Sequence, residues 1–334
     1  MEFYGTLGLA CSSRETLHAM FQAGMTGARL NLSHTNLEAC TQLLTRLFQP
    51  AARDAGLDSP HLIIDLQGPE LRIGQLPYPV PLHQGEDVLL GDGGIPVPTS
   101  VLAAAKPGQE IILDDSTLLL EVRRNSSSVL LCRVVRGGTL HSRKSLALPG
   151  CQLDAPTLSS DDLVNLDLAG QLGVTHVLQP FVRGAEDIQT LRHALAQRGL
   201  SHIQIIAKIE SLQGVERLGE IISAADQICI ARGDLGNAIP LWELPGIQKD
   251  IASRCCQAQI PFCLVTQLLW SMEQRAVPTR AEVCDIYNGV LDGATSLMLT
   301  GETAIGKHPV AAMQYLVKTA QQALVHLEKG GHRP

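Results

Sequence analysis

Aromatic side chains are scarce: Phe, Trp and Tyr make up only 3% of the 334 residues. Hydrophobic residues still reach 45%, so a large core is available. It must be packed from Leu, Ile, Val and Ala, the branched filling typical of a β/α barrel interior. No apolar run approaches the roughly eighteen residues a membrane-spanning helix needs. The start, Met1-Glu2-Phe3-Tyr4-Gly5, lacks a basic segment followed by an apolar one, which argues against a secretory leader. No block of Lys and Arg is dense enough to follow a phosphate backbone, and the formal net charge is -7, so nucleic acid is not an expected partner. The nine cysteines are odd in number and show no C-x-x-C pair, and Cys255 and Cys256 are adjacent. They read as reduced and mostly buried, as in a cytoplasmic protein.

What is present is an alternation of short apolar runs with helical periodicity. Tyr4 to Leu9 reads as a strand, followed by a helix opened by Ser12 and Glu15 as a capping box and closed at Gly24. Gly27 to Leu32 is a second strand, with a helix from Asn36 to about Ala55, and His61-Leu62-Ile63-Ile64 ends a third on Asp65. Residues 75–149 are turn-rich and β-type with no intervening helices, an inserted domain. The alternation then resumes with strands at Val174 to Leu178, Ile203 to Ala207, Gln227 to Ala231, Pro261 to Val265 and Ser296 to Leu299. The helices between them are expected at Ser159 to Leu172, Glu186 to Arg198, Leu212 to Ala224, Ile247 to Gln259 and Thr279 to Leu291, with a last one from Pro309. Eight strands alternating with helices predict an α/β fold, a closed (β/α)8 TIM-type barrel of residues 1–74 and 150–334, interrupted after its third strand by a small domain of residues 75–149.

The polar residues fall where those strands end: Arg29, Asn31 and Ser33; Asp65; Phe181 and Arg183; Lys208 and Glu210; Arg232, Gly233 and Asp234; Thr266 and Gln267; Thr300, Gly301 and Glu302. Each has an ordinary explanation by itself. Asn31 and Ser33 could cap a helix, Arg29 could make a surface ion pair, and Arg-Gly-Asp is usually a turn. Their agreement across seven strand ends points to the C-terminal rim, where barrel enzymes place their chemistry. Lys208, Glu210 and Asp234 together suit a metal ion and a phosphoryl group.

Several segments, in this order, give the chain its likeness: Ala28-Arg29-Leu30-Asn31-Leu32-Ser33-His34, Asp65 with Gly68-Pro69-Glu70-Leu71-Arg72, Leu148-Pro149-Gly150, Lys208-Ile209-Glu210, Ala231-Arg232-Gly233-Asp234-Leu235-Gly236, Thr266-Gln267, Pro278-Thr279-Arg280-Ala281-Glu282 and Gly301-Glu302-Thr303-Ala304. Over nearly its whole length the sequence resembles the pyruvate kinase family. The resemblance implies a barrel with a small inserted β-barrel domain after the third strand, and a reaction moving a phosphoryl group from phosphoenolpyruvate to ADP, giving pyruvate and ATP, in glycolysis.

The same resemblance implies roles residue by residue. Glu210 and Asp234 would hold Mg2+ (or Mn2+), and Lys208 and Arg29 would lie on the transferring phosphoryl group. Backbone N–H groups around Gly233 and Asp234 would hold the substrate carboxylate, and Thr266 would lie on the face of the enol that is protonated. Asn31, Ser33, Asp65 and the carbonyl of Leu66 match a K+ site. Asn31, His34, Arg72 and Lys144 match nucleotide contacts, with the inserted domain closing over the nucleotide. Leu66 replaces the family's usual Thr, a change that a carbonyl ligand survives, and the sequence departs further at Leu9 (usually Pro), Gln67 (Lys), Pro180 (Ser) and Ile305 (often Lys), none of which removes a metal or phosphoryl ligand. Glu70 stands where a Lys accompanies independence from K+, so use of K+ is expected.

The family's C-terminal α/β domain, which carries a sugar-phosphate effector site, has no counterpart in this sequence. The expectation is hyperbolic kinetics without a response to fructose 1,6-bisphosphate. The barrel surface near Pro278 to Glu282 leaves room for a homodimer. Two other readings compete. A metal-dependent aldolase or lyase acting through an enolate would have no use for Lys144 and Arg72, and a non-catalytic phosphoenolpyruvate or nucleotide binder would be free to lose Lys208, Glu210, Asp234 or Thr266.

Overall fold

The computed structural model describes residues 1–33, 35–68, 71–114, 117–149 and 156–330. Two compact units are resolved, Met1–Gly68 with Thr157–Pro334, and Pro69–Pro156. His34, Pro69, Glu70 and Gly150, all named above, lie outside the described residues.

The strands in chain order are β1 (Glu2–Thr6), β2 (Gly27–Asn31), β3 (His61–Asp65), β4 (Val80–Leu82), β5 (Asp87–Gly91), β6 (Glu110–Leu113), β7 (Leu118–Asn125), β8 (Val129–Arg136), β9 (Gly138–Leu140), β10 (Leu146–Ala147), β11 (His176–Gln179), β12 (Gln204–Ile209), β13 (Gln227–Ala231), β14 (Phe262–Val265) and β15 (Ser296–Met298). Eight of them close a parallel barrel in the order β1-β15-β14-β13-β12-β11-β3-β2. Its strands are covered on both faces, which is why they read as continuous apolar runs rather than as alternating ones.

The two-residue period of each strand still sorts inside from outside. On β12 Ile205, Ala207 and Ile209 pack among the helices, whereas Ile206 joins Tyr4, Ile63, Leu178, Cys229, Cys263 and Met298 in the barrel's interior. Continuing that inner face by two and four residues brings Lys208 and Glu210 to the top. Continuing it downwards brings His61, His176, Gln204, Gln227 and Ser296 to the first positions of their strands, a polar floor. Within it the Gln227 amide donates to Ser296 Oγ at 2.7 Å. An apolar plug thus separates a polar floor from a charged rim.

The helices follow the sequence signals with local corrections. The first helix, Arg14–Gln22, is capped by Ser13, whose side chain accepts from Thr16 N–H. Ser12 instead donates to Leu9 O, so the expected Ser12–Glu15 box does not form. The helical stretch opened by Asn36 contains a π segment, Leu43–Phe48, before Gln49–Asp54. Pro50 accounts for it, since it has no N–H for the carbonyl four residues back and its ring crowds that carbonyl. The single helix expected from Leu212 to Ala224 is divided at Arg217 into Leu212–Glu216 and Leu218–Ala224, where Gly214 and Gly219 weaken helix propensity. The next begins earlier than expected, at Leu244, with Pro245 in its first turn. Arg232–Ala238, where no element was expected, is a helix springing directly from β13.

The second unit is a five-stranded antiparallel sheet ordered β10-β6-β7-β8-β5, with β4 and β9 as a separate antiparallel pair and a helix at Thr99–Ala104. Its own core contains Ile73, Leu90, Ile111, Leu120, Val122 and Leu130.

Candidate active site

At the top of the barrel four strand ends meet in one buried charge network. Asp65, at the end of β3, accepts from Arg29 Nε at 2.8 Å and Arg29 Nη2 at 2.6 Å on one carboxylate oxygen. Its other oxygen lies 3.5 Å from Lys208 Nζ. Lys208 Nζ is also 2.8 Å from Glu210 Oε1. Glu210 Oε2 accepts from the Phe181 N–H at 2.8 Å, a backbone donor aimed there by the left-handed conformation of Phe181 (φ +50°). Glu210 and Asp65 are 3% and 1% exposed, so these interactions act with little screening by water.

Burial alone would push the Lys208 ammonium towards neutrality. Asp65 and Glu210, with Asp234 beyond them, outweigh both burial and the repulsion from Arg29, and hold its pKa above the ordinary lysine value. Burial pushes Glu210 the other way for a carboxylate, up to about 7, against the pull of Lys208 and with added repulsion from Asp234. Lys208 thus faces the carboxylates of Asp65 and Glu210, with Asp234 adding negative charge near both Lys208 and Glu210.

Glu210 and Asp234 would suit a divalent cation. Glu210 Oε1 is buried and lies 2.8 Å from Lys208 Nζ. Asp234, at an exposed position of the helix Arg232–Ala238, contributes a second hard oxygen donor. Among the described residues no group of three or more His, Cys, Asp and Glu side chains could hold a metal ion. Two carboxylates suit Mg2+, which keeps waters and takes remaining ligands from substrate.

Thr266 follows β14, beside β13. A Cβ built on Gly233 would come within 3.1 Å of Thr266 Cγ2, so the glycine lets the start of the β13 helix lie against this threonine. For the set matched to K+, Asn31 Oδ1 accepts from Ser33 N–H at 3.2 Å, and Leu66 is buried with its N–H on Leu178 O. Asp65, assigned to the same set, faces Arg29 and Lys208. Arg72 and Lys144 belong to the second unit, where Arg72 Nη1 donates to Arg143 O at 2.8 Å and Lys144 pairs with Asp114 at 2.8 Å.

Two of the rim residues turn out to brace loops. Arg183 is tied to Asp187 and Thr157. Glu302, 1% exposed, accepts from the N–H groups of Leu269 and Thr300. Sequence reasoning missed others. Thr6 Oγ1 accepts from Arg29 Nη1 at 3.2 Å and donates to Leu299 O; its place at a strand end was the available signal. Asp162 serves in the capping box of the helix Ser160–Ala169 and also accepts from Gln67 and Gly68 N–H, a second task that nothing local announces.

Comparison with known proteins identifies a family. Residues 2–313 match the family described as pyruvate kinase, barrel domain. The chain is 38% identical over 326 residues to a pyruvate kinase of Aeropyrum pernix, covering 97% of this chain and 70% of that protein. It is 36% identical to one from Chlamydia pneumoniae, covering 97% and 68%, and 34% identical to one from Geobacillus stearothermophilus, covering 96% and 57%. The chain thus spans between about half and three quarters of the length of these relatives. With a match that runs through both units and through the charged rim alike, the chain belongs to the pyruvate kinase family of phosphotransferases.

Proposed function

We propose that this chain transfers the phosphoryl group of phosphoenolpyruvate to ADP, yielding pyruvate and ATP, with Mg2+ (or Mn2+) and K+ as cofactors and a place in glycolysis. The observation that carries the reading is the buried ion pair of Lys208 and Glu210, 2.8 Å apart, in which Asp65 and Glu210 keep the lysine charged. A fixed ammonium and guanidinium, Lys208 and Arg29, are suited to the negative charge spread over a phosphoryl group in transfer.

Glu210 and Asp234 would hold the divalent ion, which when bound adds positive charge against the phosphoryl and enolate oxygens. The chain's own residues do the rest. Arg29 and Lys208, fixed by Asp65, bind and orient the phosphoryl group. The N–H groups at Gly233 and Asp234 receive the substrate carboxylate. Thr266 lies on the face of the enolate to which a proton is brought. Asn31, Ser33, Asp65 and Leu66 are assigned to K+, and Asn31, His34, Arg72 and Lys144 to the nucleotide, on the resemblance alone. A coupled assay of pyruvate formation from phosphoenolpyruvate and ADP, with and without Mg2+ and K+, tests the reading. Turnover that requires both substrates and Mg2+ is expected, and none under any of these conditions would refute it.

A further inference from the structure

Thr266 and Gln267 are consecutive non-glycine residues in the left-handed region, with φ of +75° and +56°. For a β-branched residue such as Thr266 this is an outlier that persists only where its surroundings impose it. Three groups do so. Glu302 Oε1 accepts from Leu269 N–H at 3.0 Å. Glu282 accepts from Ser271 N–H at 2.7 Å and from Ser271 Oγ at 2.6 Å. Arg232 Nη2 donates to the Thr266 carbonyl at 2.6 Å, and its Nε is 3.2 Å from that oxygen and 3.3 Å from Val265 O. Of these three, Arg232 alone bonds the peptide of Thr266 itself. Its third nitrogen, Nη1, donates to Asp285 Oδ2 at 2.6 Å, on the helix Arg280–Leu291, and the Arg232 side chain is 12% exposed.

From these contacts we infer that Arg232 is a positioning residue: with Asp285 orienting its guanidinium, it holds the strained turn that aims the Thr266 hydroxyl at the substrate. Its neighbours Gly233 and Asp234 open the same helix, so one side chain ties the proposed carboxylate-binding N–H groups to the proposed proton-delivering threonine. The inference rests on the proposed function. In the step concerned, C3 of the enolate takes a proton, the C2–C3 π pair forms the new C–H bond, and the C2 oxygen becomes the ketone of pyruvate. A lysine in place of Arg232 keeps the charge but has no planar fork to bridge Thr266 and Asp285.

The test follows exchange of the pyruvate methyl protons in D2O by NMR, in the presence of Mg2+, K+ and ATP. Arg232→Lys and Thr266→Ala should each slow exchange by about 10²-fold, the order expected for a misplaced reacting group, with KM for phosphoenolpyruvate changed by less than about threefold. The double variant should be no slower than Thr266→Ala alone, because both act through one hydroxyl. Losses that multiply in the double variant, or wild-type exchange in Arg232→Lys, overturn the inference. Asp285→Asn should lie between wild type and Arg232→Lys and decides the matter if the latter fails to fold. A second readout does not depend on catalysis: the Gln267 and Leu268 amides should lose hydrogen-exchange protection in Arg232→Lys. Unchanged protection there overturns the clamp, whereas a wild-type protein without turnover refutes the proposed function instead.

Discussion

Lys208 lies on the inner face of β12 and Glu210 just past its end, so each can be changed with a different expected loss. Lys208→Met should lower kcat by at least about 10²-fold while leaving phosphoenolpyruvate binding within about tenfold, because the ammonium is needed most where charge develops. Near-wild-type kcat in a folded variant would remove Lys208 from the chemistry. Glu210→Gln keeps the shape and can still accept from Phe181 N–H, so the fold should survive. Its affinity for Mg2+, titrated calorimetrically with phosphoenolpyruvate present, should fall by more than about tenfold, since hard carboxylate oxygens bind this ion. Unchanged affinity would place the cation elsewhere. That these two residues mattered was readable from charge appearing where an apolar run stops. That Asp65 and Asp234 act on the same buried lysine was not, because one ends β3 and the other lies in the helix after β13.

Among the elements, the helix Arg280–Leu291 shows how far local chemistry reaches. Its capping box joins Thr279 and Glu282, three residues apart in the chain. Glu282 does more than cap: it also accepts from Ser271 N–H and Oγ, eleven residues back in the chain. Thr279→Ala should therefore cost about 1 kcal/mol, as a lost cap. Glu282→Ala should cost about 2–3 kcal/mol, because it leaves the Ser271 donors unpaired as well. Urea unfolding of both variants measures the difference, and equal costs would mean the Ser271 contacts contribute nothing. Elements with strong periodicity or caps were legible in the sequence. Arg232–Ala238 was not: a seven-residue helix holding two glycines has weak propensity, and it stands because Leu235 is buried and Arg232 is anchored across β14.

The barrel as a whole carries a pH dependence at its floor. His176 is buried, its ring tilted against that of His61 at a centroid distance of 4.8 Å, and its Nδ1 lies 2.7 Å from Thr175 Oγ1. Burial and the neighbouring His61 lower its pKa from 6.5 to about 4, against smaller opposing effects of Gln204, Glu2 and Asp226. A depressed pKa means the unfolded chain binds the proton first. Stability is intact above about pH 6.5 and falls as the pH drops towards 4, by up to ~3 kcal/mol from this group. Urea midpoints at about pH 7.5 and 5 should differ less in His176→Gln than in wild type. An identical pH effect in the variant would show that folding does not depress the pKa of His176.

By itself the amino-acid order determined the barrel, its interruption after the third strand and the strand ends that carry charge, because buried parallel strands need apolar runs and polar residues can only follow them. Closure of β1 against β15 decided what could not be read. It set Thr6 against Arg29 and Leu299, and drew Asp65, Lys208 and Glu210 into one buried network. Packing of the Arg232 helix beside β14 imposed a left-handed backbone on Thr266 that its own residue type disfavours. These pairings join residues far apart in sequence, and their cost in desolvation and strain is met only by neighbours that the closed sheet supplies.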